Sequence, residues 1–184
     1  TSRFRFEPER IGTRPDRNLY VANSRGVFRD PVRWSVLHEL PVDIYGVGWE
    51  PFITDARYRG RLVPNEVLGE FYASSRLVIC DHWDDMRALG YVSNRLFDVL
   101  ACGGRLILDR VVGLDSLVPA EFVEVFEDEA GFAALVAGGE RTDLELRRRA
   151  AAWVQEHHSF DARARTFAER IDQLMQAAID TAAK

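Results

Sequence analysis

The 184-residue chain has few cysteines, no long apolar run and no excess of positive charge. Its two cysteines, Cys80 and Cys102, lie inside apolar stretches, which favours small core residues over a disulfide framework and fits a reducing cytoplasm. No apolar run approaches the ~20 residues that a bilayer-spanning helix needs, and 1–17 lacks the apolar core of a signal peptide. The net charge of -5 argues against a broad nucleic-acid-binding face. We therefore expect a soluble cytoplasmic protein.

Size and composition indicate one α/β domain. With 47% hydrophobic residues, the chain can bury one substantial core but is too short for two large domains. Residues 1–17 are charged, contain two prolines and show no clean periodicity, which predicts a linker or extended lead-in. The domain is expected over 18–184.

Short apolar runs alternate with helical patterns along this domain. The runs predict strands over 19–22, 42–45, 60–63, 77–80, 105–108 and 122–126. Strands that alternate with helices are typical of a Rossmann-like, doubly wound and mostly parallel sheet with helices on both faces.

Three further features complete the predicted domain. Residues 81–92 and 111–119 are predicted to be loops, and Thr142 with Glu145 matches a capping box that opens a helix. An amphipathic helix over about 160–178 is predicted to end the domain.

The most informative segment is 93–109, which predicts a helix that leads into a buried strand. Ser93 can cap this helix, and Gly103 can end it. A helix start presents unpaired N–H groups and the positive end of the helix dipole. The backbone at Val92, Ser93 and Asn94, with a fixed charge from Arg95, is therefore a candidate cradle for a phosphate or diphosphate.

Polar or glycine-rich segments follow several of the predicted strands, at 23–26, 46–49, 81–85 and 91–94. Ligands bind at the carboxyl ends of the strands in such a sheet, so these segments are expected to converge on one cleft. The carboxylates and imidazole of 81–85 would also suit a divalent cation. A nicotinamide-dependent oxidoreductase is a poor alternative, because no GxGxxG follows the first strand.

Several segments together resemble a known family. They are NSRGVFR at 23–29, VPNEVLGEFYASSRLVICD at 63–81, GYVSNRLFDVLACGGRLILD at 90–109 and HHSFDARARTFAERI at 157–171. Their order resembles the C-terminal domain of type B glycosyltransferases, with the CgeB-like, glycosyltransferase family 1-like group the most similar. The resemblance implies a domain that binds a nucleoside diphosphate sugar, opposite an N-terminal acceptor-binding domain that 184 residues cannot also contain.

The resemblance also implies residue roles. It places Arg25, and less strongly Arg29, on the diphosphate, Asp98 on the ribose hydroxyls, and the backbone near Val63 on the base. A guanidinium suits phosphate through bidentate geometry, and a carboxylate can accept two O–H donors. The predicted donor-binding residues are Ser24, Arg25, Gly46, Val63, Tyr91, Val92, Ser93, Asn94, Arg95 and Asp98.

The chain departs from the family pattern at Gly90, where many retaining members have a glutamate that contacts the transferred sugar. The resemblance implies a retaining transferase that needs no metal or other cofactor, and whose catalytic groups lie largely in the other domain. This chain alone is then expected to bind donor without transferring sugar. The alternative is a non-catalytic interaction or regulatory module with a degenerate glycosyltransferase fold.

Overall fold

The computed structural model of the chain describes residues 4–139 and 143–182. Within them, the strands are β1 (Arg14–Val21), β2 (Val42–Tyr45), β3 (Tyr58–Gly60), β4 (Ser75–Cys80), β5 (Leu106–Asp109) and β6 (Glu124–Phe126). They form one parallel sheet in the order β3-β2-β1-β4-β5-β6. The order is that of a doubly wound, Rossmann-like sheet, so the predicted fold class is confirmed.

Helices cover both faces of this sheet. They are α1 (Asp30–Leu37), α2 (Asn65–Ser74), α3 (Asp84–Leu89), α4 (Asn94–Ala101), α5 (Leu114–Leu117), α6 (Glu129–Ala137), α7 (Leu144–His157) and α8 (Phe160–Ala182). α1 packs beside α6 on one face, and α4 packs against α2 and α7 on the other.

The buried strand β4 shows how the sheet supplies two cores. Leu77 and Ile79 pack into the core on the α1 and α6 side, whereas Val78 and Cys80 pack into the core on the α4 side. Successive side chains of a strand point to opposite faces, so a continuous apolar run is what a strand covered on both faces requires.

The domain begins earlier than the sequence indicates. β1 starts at Arg14, and Phe4 is buried in the core on the α4 side, with its ring centroid 6.1 Å from that of Tyr72. The described part of 1–17 therefore packs onto the domain and is not a detached lead-in. The hydrophobic contacts of single aromatic residues do not produce a periodic pattern, which explains the misplaced boundary.

Two predicted loops contain helices. α3 lies inside 81–92 and α5 inside 111–119, and both are too short to show an apolar period in the sequence. Asp143 caps α7 by accepting a hydrogen bond from the Leu146 amide at 2.9 Å. The predicted cap at Thr142 lies outside the described residues.

The last helix, α8, is amphipathic as predicted, and its apolar side is largely exposed. The exposed residues are Phe160, Phe167, Ile171, Leu174, Met175 and Ile179. α7 is the element that it mainly contacts in the described structure. Among the described residues, no helix combines the length and apolar character that crossing a membrane requires.

Candidate functional site

A cleft of about 820 Å³ opens at the ends of β1 and β4, which are neighbours in the sheet. The chain continues from β1 to α1 on one face of the sheet and from β4 towards α4 on the other. Its walls come from the loop after β1 and the start of α1, from residues 81–87 after β4, and from residues that follow β5 and end β6. Such a switch in chain direction is where doubly wound sheets bind ligands. Of the four segments predicted to converge on one cleft, those at 23–26 and 81–85 contribute to its described lining, whereas those at 46–49 and 91–94 do not.

Asp81 follows β4 directly, and its carboxylate is buried between two partners. Oδ1 accepts a hydrogen bond from the Tyr20 hydroxyl at 2.8 Å, and Oδ2 lies 2.7 Å from Nε of Arg29. The Arg29 guanidinium lies 4.4 Å from the centroid of the Trp83 ring. Burial raises the pKa of the Asp81 carboxyl, against the opposing attraction of Arg29. Arg29 is therefore part of the cleft wall, with its charge compensated.

His82 is a second anchored side chain at the end of β4. Its Nδ1 lies 2.6 Å from Oδ1 of Asp109, whose Oδ2 accepts a hydrogen bond from the His82 amide at 2.9 Å. On the other side of the ring, Nε2 accepts a hydrogen bond from the Ser93 amide at 2.9 Å. The His82 side chain has no exposed surface, and that of Asp109 is 7% exposed. This chain of contacts joins the end of β5 to the start of α4.

Ser93 caps α4 as predicted, and its Oγ accepts a hydrogen bond from the Arg95 amide at 3.3 Å. The prediction that the Ser93 amide is free for an anion is wrong, because His82 already occupies it. The amides of Val92 and Asn94 make no hydrogen bond with any described residue. The candidate cradle is thus reduced to these two N–H groups.

The Arg95 side chain turns inward from the start of α4. Its Nη1 is buried and has no hydrogen-bond partner in the part of the chain that the structure describes. Its charge acts on Asp81 and Tyr20, at the ends of β4 and β1. Arg95 therefore supplies positive charge from beneath the cleft. Its side chain is not placed to contact an exposed anion directly.

Arg25 lies in the loop after β1 and lines the cleft. It is exposed, and its φ of 53° is in the left-handed region that non-glycine residues rarely adopt. The buried Ser24 shapes this loop: its Oγ accepts a hydrogen bond from the Gly26 amide at 3.0 Å, and its own amide donates to the Val47 carbonyl at 3.0 Å. The predicted pair, Ser24 and Arg25, thus divides into a loop-forming residue and an exposed cation.

Gly46 has a structural reason to be glycine. Its φ is 143°, and a Cβ at this position would lie 1.9 Å from the Ala22 carbonyl oxygen. That oxygen also accepts a hydrogen bond from Nε1 of the buried Trp49 at 2.7 Å. Gly46 therefore allows the ends of β1 and β2 to approach closely, and its predicted contact with donor stays a prediction.

The cations that line the cleft differ in whether an acid neutralises them. Arg29 pairs with Asp81, Arg87 with Asp84, and Arg110 with Asp115 and Glu127. Arg25 makes no ion pair with any residue that the structure describes. Its charge is thus the one in the described lining that is available to an anionic ligand.

Of the ten predicted donor-binding residues, Arg25 is the one in the described lining of this cleft. Val63 is buried after β3, and Tyr91 is exposed after α3. Asp98 is half-buried on α4, where its charge acts on Tyr72 and Cys102. Their roles in binding stay predictions.

The two cysteines, Cys80 and Cys102, are free and buried. Burial raises the pKa of Cys80 to about 11 and that of Cys102 to about 12, so both thiols stay protonated near neutral pH. Among the described residues, no three histidine, cysteine or acidic side chains come close enough together to hold a metal ion.

Sequence reasoning missed the contacts of His82 and Asp109. A signal was present, because Asp81 and His82 follow β4 and Asp109 ends β5, the neighbouring strand. Polar residues at the carboxyl ends of adjacent parallel strands lie at the same edge of the sheet. That juxtaposition becomes visible once the strand order is known.

Comparison with known proteins agrees with this architecture. A family model described as glycosyl transferase-like matches residues 27–169, which include the cleft lining except Arg25, all of α4 and most of the helices after it. A search of the curated proteins gives no match. Because the family match covers more than half of the chain, the chain belongs to the glycosyltransferase-like family.

Proposed function

We propose that the chain is the donor-binding domain of a glycosyltransferase, and that it binds a nucleoside diphosphate sugar across the cleft between the ends of β1 and β4. The observation that carries the proposal is the placement of Arg25, an exposed cation without an ion-pair partner among the described residues, on this cleft. The family to which the chain belongs supports the reaction class.

The diphosphate is the part of the donor that the charges favour. A guanidinium forms charge-assisted, bidentate hydrogen bonds with phosphate oxygens. The Val92 and Asn94 amides at the start of α4 add two N–H donors and the positive end of the helix dipole. Arg95 adds buried positive charge. Together they would hold two linked phosphates between the loop of Arg25 and the start of α4.

The same groups have a catalytic consequence. Negative charge grows on the diphosphate as the glycosidic bond breaks, so fixed donors aimed at it stabilise the transition state more than the ground state. Arg25 would act on the leaving group, and no proton transfer is required of it.

The finer parts of the proposal follow from the resemblance. Asp98 binds the ribose hydroxyls, and backbone near Val63 contacts the base. Tyr91 is proposed as a further donor-binding residue. An N-terminal domain binds the acceptor and supplies the catalytic groups, so this chain alone binds donor without transferring sugar. The enzyme is proposed to be a cytoplasmic, metal-independent, retaining transferase of the CgeB-like group.

Calorimetric titration of the chain with UDP, GDP, ADP, CDP and dTDP tests the proposal. We expect one diphosphate to bind most tightly, with an affinity that a chelator leaves unchanged. Arg25→Ala and Asp98→Ala are each expected to weaken binding at least about tenfold, since a charge-assisted hydrogen bond contributes about 1.5–3 kcal/mol.

Arg33→Ala is the matched control, because Arg33 is exposed on α1 and pairs with Asp30. It should leave the affinity unchanged. Failure of all five diphosphates to bind would contradict the donor-binding proposal, and binding that survives Arg25→Ala would move the diphosphate away from this cleft.

A further inference from the structure

His82 lies between the cleft and the start of α4, and its hydrogen bonds determine where its ring carries a proton. A backbone N–H can only donate, so the Ser93 amide at 2.9 Å requires Nε2 to be an unprotonated acceptor. A neutral imidazole then carries its proton on Nδ1, which lies 2.6 Å from the Asp109 carboxylate. The contacts therefore select the Nδ1-protonated tautomer.

Asp109 is suited to impose this choice. Its carboxylate accepts from both the backbone N–H and the ring of His82, and both side chains are almost fully buried. With the proton on Nε2 instead, two buried donors, Nε2–H and the Ser93 N–H, would face each other. The Asp109 carboxylate would also lose the hydrogen bond from Nδ1. Buried polar groups without partners cost about 1–3 kcal/mol each, so the other tautomer is disfavoured.

The consequence reaches the cradle through Ser93. Its amide is held by His82, and its Oγ is held by the Arg95 amide. His82 thus holds the peptide that enters Ser93, and the Ser93 carbonyl of the next peptide accepts a hydrogen bond from the Leu96 amide at 3.1 Å. The N–H of that second peptide, which belongs to Asn94, has no described partner.

We propose that His82, held in one tautomer by Asp109, is a positioning residue that orients the Asn94 amide towards the bound diphosphate. The inference rests on the proposed donor site but goes beyond it, because His82 itself need not touch the donor. His82 accepts the hydrogen bond of the Ser93 amide, so that this amide is not available to the donor, and it thereby orients the Asn94 amide.

Two substitutions separate the contacts of the ring. His82→Gln can keep an acceptor near the position of Nε2 but loses the donor to Asp109. His82→Asn can keep a donor near the position of Nδ1 but loses the acceptor for Ser93. Both leave a similar polar residue in a buried site, so urea unfolding should show comparable losses of stability.

Binding of the tightest of UDP, GDP, ADP, CDP and dTDP should then differ between the two variants. We expect His82→Asn to weaken binding roughly tenfold or more, the size of effect that the loss of a supporting hydrogen bond has at metal sites. We expect His82→Gln to bind within about threefold of the unaltered chain. His157→Asn is the control, since His157 is exposed at the end of α7.

A spectroscopic measurement tests the tautomer without ligand. Nitrogen-15 NMR of the unaltered chain should show His82 protonated at Nδ1, and Asp109→Asn should disturb that signature and weaken binding as His82→Asn does. A proton on Nε2, equal binding by both His82 variants and the unaltered chain, or equally weak binding by both variants would overturn the inference. If the unaltered chain binds none of the five diphosphates, the donor-site proposal itself fails, and this inference fails with it.

Discussion

Arg25 and Arg29 lie in the same loop, but their replacement by alanine is expected to have opposite consequences. Nε of Arg29 lies 2.7 Å from Asp81, and the two side chains are only 10% and 6% exposed. Arg29→Ala leaves a buried carboxylate with the Tyr20 hydroxyl as its remaining hydrogen-bond donor. Removing one partner of a buried ion pair costs about 3–5 kcal/mol.

Protonation of Asp81 limits this cost. The buried carboxyl can take up a proton instead of staying charged, at about 1.4 kcal/mol for each pH unit above its ordinary pKa, or about 4 kcal/mol at pH 7. We therefore expect Arg29→Ala to lower the free energy of unfolding by about 4 kcal/mol at pH 7. In the variant the folded state holds the extra proton, so the deficit shrinks as the pH falls, to about 1.5 kcal/mol at pH 5.

Arg25 should behave differently because it is exposed and its backbone is strained. Arg25→Ala keeps the left-handed φ and should change stability by no more than about 0.5 kcal/mol. Arg25→Gly relieves about 1 kcal/mol of strain, which the greater entropy of an unfolded glycine largely offsets. Both variants should nevertheless lose diphosphate affinity at least about tenfold.

Urea unfolding at pH 7 and pH 5, followed by tryptophan fluorescence, measures the stability of each variant, and calorimetry measures diphosphate binding. Arg33→Ala serves as the control, because its pair with Asp30 is exposed and should contribute little. If Arg29→Ala unfolds like the Arg33 variant, or if its deficit grows as the pH falls, the buried-pair reasoning is refuted. Loss of stability in Arg25→Ala would refute the distinction between the two arginines.

Two further predictions concern the α4 side of the sheet. Gly103→Ala should destabilise the fold by about 3 kcal/mol in urea unfolding, because the φ of Gly103 is 75° and a Cβ there would lie 2.6 Å from the Phe6 ring. The control is Gly113→Ala, at a φ of 76° with open space around the new Cβ, which should cost only about 1 kcal/mol. Burial lowers the pKa of His158, whose ring stacks on Phe97 at 4.4 Å. The unfolded chain then binds the proton first, so stability should fall as the pH drops below about 6.5, and His158→Gln should show a smaller fall in a pH series of unfolding curves.

The elements that the sequence predicts well are those with dense local signals. The short apolar run 77–80 predicts a buried strand, and Ser93 before a helical pattern predicts a helix start. The structure confirms both, as β4 and the cap of α4. Alternation of strands and helices then leads to the parallel sheet. α3 has six residues and no buried face, which leaves no period to detect.

The site was harder to predict because its contacts join residues distant in sequence. The Ser93 amide donates a hydrogen bond to His82, and the His82 ring is oriented by Asp109. No local sequence pattern encodes these contacts between residues distant in the chain. The inward orientation of the Arg95 side chain likewise depends on residues distant in sequence, at the ends of β1 and β4. The position of Arg25 could be anticipated, because the loop after the first strand of such a sheet lies at the edge where ligands bind. Its role on the diphosphate is implied by the resemblance alone.

Gly90, where the resemblance to retaining type B transferases implies a glutamate, has a structural explanation that does not depend on catalysis. It ends α3 with a φ of 76°, and the Met86 carbonyl accepts hydrogen bonds from both the Gly90 and the Tyr91 amides. A Cβ at position 90 would lie 3.0 Å from the Val112 carbonyl oxygen. Any other residue would be strained here, so the glycine follows from how this chain closes α3 and turns towards α4. Its presence is therefore no argument that transfer has been lost.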